Sequence, residues 1–107
     1  MIRVTIYKNE KHQCVGFKAH GHAGFSEEGQ DIVCAAVSVL VINTVNSLEA
    51  FTEDQFEVQE DDGYVSFYFT APVTERGTLL MDSLILGLTE IEHSYNNRYL
   101  TVKVKEV

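Results

Sequence analysis

Little interrupts this chain. It has one proline, no low-complexity run and no linker-like stretch in 107 residues, which argues for a globular rather than a disordered chain. With 45% hydrophobic residues to build a core, residues 1–107 are expected to fold as a single domain. Basic residues are scarce. Eight of them against sixteen acidic residues leave a formal charge of −8, which argues against direct nucleic-acid binding, since that needs a basic footprint. The opening MIRVTIYK lacks the apolar core and cleavage site of a secretory signal, so a cytoplasmic protein is expected. The longest near-continuous apolar run, Ile32 to Ile42, is broken only by Ser38. It falls short of the roughly 20 residues a bilayer span needs, so it reads as a buried helix, with no membrane partner expected. Only Cys14 and Cys34 carry sulfhydryls, and in a reducing compartment both stay thiols, Cys14 packing as a small hydrophobe.

The charge that is present is uneven. Seven acidic residues fall between Glu49 and Asp62, a field that keeps the protein soluble or steers a cationic protein or peptide towards one side. Ile2, Val4 and Ile6 alternate with polar residues, and residues 13–20 alternate again after a polar break, predicting a hairpin. From Asp31 to about Leu48 the chain is apolar nearly all round. Its valines and isoleucines suit a strand, but its length and the Asp31 cap predict a helix that must be covered on several sides. Gln55 to Gln59 and Tyr64 to Thr70 flank an Asp61-Asp62-Gly63 turn, a second hairpin. Helical spacing of Leu79, Leu80, Leu84 and Ile91 predicts a second helix over 74–94, and Tyr99 to Val107 reads as a last strand. The order ββαββαβ defines an α+β layered domain, with two helices packed on a mostly antiparallel sheet.

Chemistry concentrates between His20 and Ser38. With Asp31 as N-cap, Cys34 falls in the first helical turn, where free amide N–H groups and the helix dipole favour a thiolate, and a nearby imidazole can take the thiol proton. His22 lies twelve residues upstream. Strand alternation would put His20 and His22 on one face, with Gly21 allowing another backbone to approach. The segment Gly24, Phe25, Ser26, Glu27, Glu28, Gly29, Gln30, with two glycines and two adjacent glutamates, reads as a movable loop. Ser38, one turn beyond Cys34, faces the same way; its hydroxyl either bonds a thiolate or substrate carbonyl or bonds back to its own helix. Asp31 is either cap or orienter of the imidazole, and amides at the helix start, that of Cys34 included, are candidate oxyanion donors.

HGHAG, a short loop and DIVCAAVS resemble the signature of the ribosomal-processing cysteine protease family, and the resemblance extends over essentially the whole chain. It implies a cytosolic, homodimeric endopeptidase without cofactor or metal. Such enzymes remove an N-terminal extension from the large-subunit ribosomal protein L twenty-seven, a basic precursor, cutting after a Phe-Phe pair and before Ala. By motif position Cys34 is then the nucleophile and His22 the base and later the acid, with Asp31 and Ser38 in support. Phe25, Leu40 and Tyr64 are candidates by residue type for the aromatic slot. Two other readings compete: a zinc site built from His20, His22 and Cys34, and a domain that binds a ribosomal protein without chemistry.

Overall fold

The computed structural model describes residues 1–21 and 28–107, with side chains up to Gly21 and from Ile32 onward. Its elements follow the expected order: β1 (Ile2–Lys8), β2 (Cys14–His20), α1 (Glu28–Phe51), β3 (Phe56–Asp61), β4 (Tyr64–Phe69), α2 (Glu75–Ser94) and β5 (Leu100–Glu106). The strands form one sheet in the order β3-β4-β2-β1-β5. Three of its pairings are antiparallel, and β5 returns parallel to β1 after the α2 crossover. The α+β reading therefore holds.

Period-two alternation decides which side of the sheet is covered. Ile2, Val4 and Ile6 of β1 are buried, as are Phe17 and Ala19 of β2, which sit opposite Ile6 and Val4. On the same side Phe67 of β4 stacks on Phe17, ring centroids 5.2 Å apart, and Phe56 of β3 and Phe69 of β4 pack round it. Cys14 is fully buried; its Sγ lies 3.4 Å from the Gly16 carbonyl, and burial pushes the thiol up to about 11. It is a core residue.

Both helices cover this side. On α1 the stripe Val33, Val37, Val41, Thr44 and Leu48 is buried, and on α2 Gly77, Met81, Leu84 and Leu88. Packing of a helical stripe thus outweighs the strand propensity of the valines. Thr74 caps α2 by accepting from the Gly77 amide at 3.2 Å and is itself held by Asp54, its amide to Oδ1 at 2.9 Å and its hydroxyl to Oδ2 at 2.6 Å. Asp54, in the α1–β3 connection, thereby fixes where α2 begins.

Two expectations change. Ile32–Phe51, 20 residues at a mean hydropathy of 1.7, is long and apolar enough to cross a membrane, because Ser, Thr and Asn interrupt the longer stretch without adding charge before Glu49. Its buried stripe instead fills the core against the sheet, and insertion into lipid would remove that core. The second correction concerns the helix start. α1 begins at Glu28, so Asp31 lies inside the helix rather than capping it, and Glu28, Gly29 and Gln30 belong to its first turn rather than to a loop. Negative charge is favoured at a helix N-terminus, and the acidic stretch Glu27-Glu28 suits the earlier start.

Candidate active site

α1 passes the end of the sheet where His20 ends β2 and Asp61 and Tyr64 flank the β3–β4 turn. Between helix and sheet lies a cleft of about 200 Å³. Its helix side is Cys34, Val37, Ser38, Val41 and Ile42, and its sheet side includes Ala19, His20, Glu60, Asp61, Tyr64 and Val65. The helix residues recur at i, i+3, i+4, i+7 and i+8, one face of an α-helix. That stripe was present in the sequence and marks the cleft wall once Cys34 is taken as its first member.

Cys34 is half-buried and opens into this cleft. It stands in the second turn of α1, because the helix starts a turn earlier than an Asp31 cap requires. At that depth a backbone N–H is bonded to the carbonyl four residues back, so the Cys34 amide is not a free oxyanion donor. The expectation of an oxyanion hole including that amide is therefore withdrawn. Ser38 is exposed on the same face and lines the same cleft. Thr44 and Thr52 donate back to carbonyls of their own helix, each at 2.7 Å, whereas among the described residues Ser38 makes no such bond. That leaves its hydroxyl without a bond to its own helix among the described residues.

On the sheet side His20 ends β2 and pairs with Tyr64 of β4, their rings 6.5 Å apart. Gly21 then leaves the strand at φ +93°. Its amide donates to the Gly63 carbonyl at 3.2 Å, and a Cβ on Gly21 would lie 2.3 Å from the Met1 carbonyl oxygen. The close backbone approach expected at Gly21 is thus made by Met1. Gly63, at φ +70°, closes the β3–β4 turn beside it.

Of the aromatic-slot candidates, Tyr64 lines the cleft, whereas Leu40 packs against Gly87 of α2, where a Cβ would meet its Cδ1 at 3.0 Å. Leu40 falls on the α2-facing side of α1 because it is not in register with the 34, 38, 41 stripe. His22, Gly24, Phe25, Ser26 and Glu27 lie outside the described residues, as do the side chains of Glu28, Gln30 and Asp31. Among the described residues no three His, Cys, Asp or Glu side chains cluster as metal ligands. Sequence reasoning missed the β3 contribution, Glu60 and Asp61; only the hairpin register brings them alongside α1.

A half-exposed thiol one helical turn from a hydroxyl, both lining a cleft bordered by a β-hairpin, offers a side chain able to act as a nucleophile. An accessible thiol in a cleft on an α+β scaffold is compatible with a cysteine peptidase. The family model for cysteine protease Prp matches residues 1–100, and the chain belongs to that family and is a cysteine protease. It is 34% identical over 105 residues to the ribosomal processing cysteine protease Prp of Bacillus subtilis, covering 91% of this chain and 92% of that one. The fold superposes on the essential ribosomal processing protease Prp of S. aureus in complex with a substrate peptide with a TM-score of 0.91, at 26% identity, covering 98% of this chain and all of that one (100%). A Streptococcus mutans protein superposes with a TM-score of 0.86 at 32% identity, over 100% of this chain and 96% of that one.

Proposed function

We propose that this protein is the endopeptidase that removes the N-terminal extension of a large-subunit ribosomal protein precursor, cutting after a Phe-Phe pair and before Ala. The observation that carries the reading is the cleft in which Cys34 and Ser38 stand opposite Tyr64, in a chain of this family. Cys34 Sγ attacks the carbonyl carbon of the second Phe while His22 takes the thiol proton. The tetrahedral intermediate then collapses, the C–N bond breaks, and His22 returns the proton to the departing alanine amine. Water, deprotonated by His22, attacks the thioester; the C–S bond breaks, the excised extension leaves with a free carboxyl group, and the proton on His22 returns to the Cys34 thiolate. Ser38 donates its hydroxyl to the attacked carbonyl oxygen, and Asp31 supports the imidazole. The apolar cleft wall of Val37, Val41 and Val65 receives the aromatic pair beside Tyr64.

A cytoplasmic location follows from a ribosomal-protein substrate. A homodimer is supported by apolar side chains standing open on the helical layer, Val39 of α1 and Leu86 of α2, each 64% exposed. Light scattering checks the dimer. The activity is tested with a peptide spanning a Phe-Phe-Ala junction. The native protein cleaves it, the Cys34→Ala and His22→Ala variants do not, and His20→Ala retains measurable turnover. Cleavage by Cys34→Ala overturns the assignment.

A further inference from the structure

Glu60 is a carboxylate on the wrong side of the sheet. Phe56, Val58 and Glu60 alternate on one side of β3, and the first two pack against the core. The row that crosses the sheet from Glu60 runs through Val65, Ala19 and Val4, all apolar. A charge at the end of such a row is costly unless water or a partner satisfies it. Glu60 stays exposed because β3 is the sheet edge, and among the described residues its carboxylate has neither ion pair nor hydrogen bond.

A second cavity, again of about 200 Å³, adjoins the cleft beside Cys34 and reaches Val45 and Asn46. Both cavities are walled by Val41, Ile42, Glu60 and Val65, so they form one groove along α1 with Glu60 at its middle. From Cys34 to Asn46 the helix rises about 18 Å at 1.5 Å per residue, room for about five residues of extended peptide. We propose that Glu60 is the specificity-determining residue that holds a lysine or arginine side chain of the peptide substrate in this groove. The methylene stem of such a side chain lies on Val65 and the exposed Ile42, and its cationic head reaches the acceptor-only carboxylate. This rests on the endopeptidase reading and extends it to a subsite.

The test measures binding apart from turnover. In a Cys34→Ala background, fluorescent peptides spanning the Phe-Phe-Ala junction carry one lysine, or its uncharged isostere norleucine, moved along the sequence. At one position lysine binds about twofold to fivefold more tightly, the ratio a solvent-exposed ion pair supplies. Glu60→Gln brings that ratio close to one, and Glu60→Lys reverses it in favour of glutamate at the same position. Asp62→Asn, which removes an equal charge from the adjoining turn, keeps it. The proposal is overturned if no position prefers lysine, if the ratio survives Glu60→Gln, or if Asp62→Asn erodes it equally. It is also overturned if Glu60→Gln changes only self-association, since an inward charge on an edge strand can serve merely to block edge pairing. A Glu60-dependent ratio in a protein that cleaves none of the peptides would uphold the subsite while sinking the endopeptidase reading.

Discussion

His20 faces Tyr64 across the β2–β4 ladder with ring centroids 6.5 Å apart, and both residues line the sheet side of the cleft into which Cys34 opens. Cross-strand pairs of this kind are worth roughly 0.2–1 kcal/mol, enough to hold a wall in shape without determining the fold. Steady-state kinetics on the junction peptide should therefore separate His20 from His22. His20→Ala and Tyr64→Ala each raise KM several-fold and change kcat little, whereas His22→Ala abolishes kcat. Equal loss of kcat in the two histidine variants would show that His20 takes part in the chemistry.

Gly21 has no tolerance for a side chain. Its φ of +93° and the Met1 carbonyl oxygen 2.3 Å from a built Cβ both exclude one. Gly21→Ala must move Met1 and the start of β1, and a non-glycine residue held in that region of φ costs about 1–3 kcal/mol. Urea denaturation should show a loss of that order. Because His22 is the next residue, kcat should fall further than His20→Ala lowers it. A Gly21→Ala protein with native stability and activity would mean that the Met1 backbone relaxes freely.

The two thiols should differ sharply in accessibility. Cys14 is 0% exposed inside the core, whereas Cys34 is half-buried and open to the cleft. Iodoacetamide followed by intact-mass spectrometry should show one adduct on the native protein, two in denaturant, and none on native Cys34→Ala. Prior binding of the junction peptide should slow the single native adduct. Two native adducts would place Cys14 outside the core.

Much of this was legible without coordinates, and the misses share a cause. Alternation at Ile2, Val4 and Ile6 and the Asp62-Gly63 turn report local backbone geometry, so strands and hairpins could be read directly. The start of α1 could not, since Asp31 is a good cap by type yet three earlier residues are also compatible with helix, and capping preference is worth only about 1 kcal/mol. Leu40 and Glu60 failed for the opposite reason. Whether a side chain meets α2 or the cleft depends on how helix and sheet pack, which brings Leu40 to Gly87 and Glu60 to Val41 and Ile42, partners remote in the chain. Cys34, Ser38 and Tyr64 were found because a motif and a residue type marked them, and only the fold shows that they share one cleft.

Burial of Cys14 also sets a pH limit on stability. Its thiol is raised from an ordinary value of 9.0 to about 11, chiefly because burial disfavours the thiolate. The folded state thus holds this proton more tightly than the unfolded state. Its contribution is complete below pH 9 and is lost as pH climbs towards 11, since over that range the folded chain binds more protons than the unfolded one. A shift of this size corresponds to about 3 kcal/mol, an upper figure for a small domain. Thermal melts of native protein should decline through this window more steeply than those of Cys14→Ala, which begins lower because a core side chain is truncated but lacks the titrating thiol. Since Cys14 lies in β2 and is remote from the cleft lining, Cys34→Ala should leave the decline in place. Parallel declines for native protein and Cys14→Ala would assign the alkaline loss to other groups.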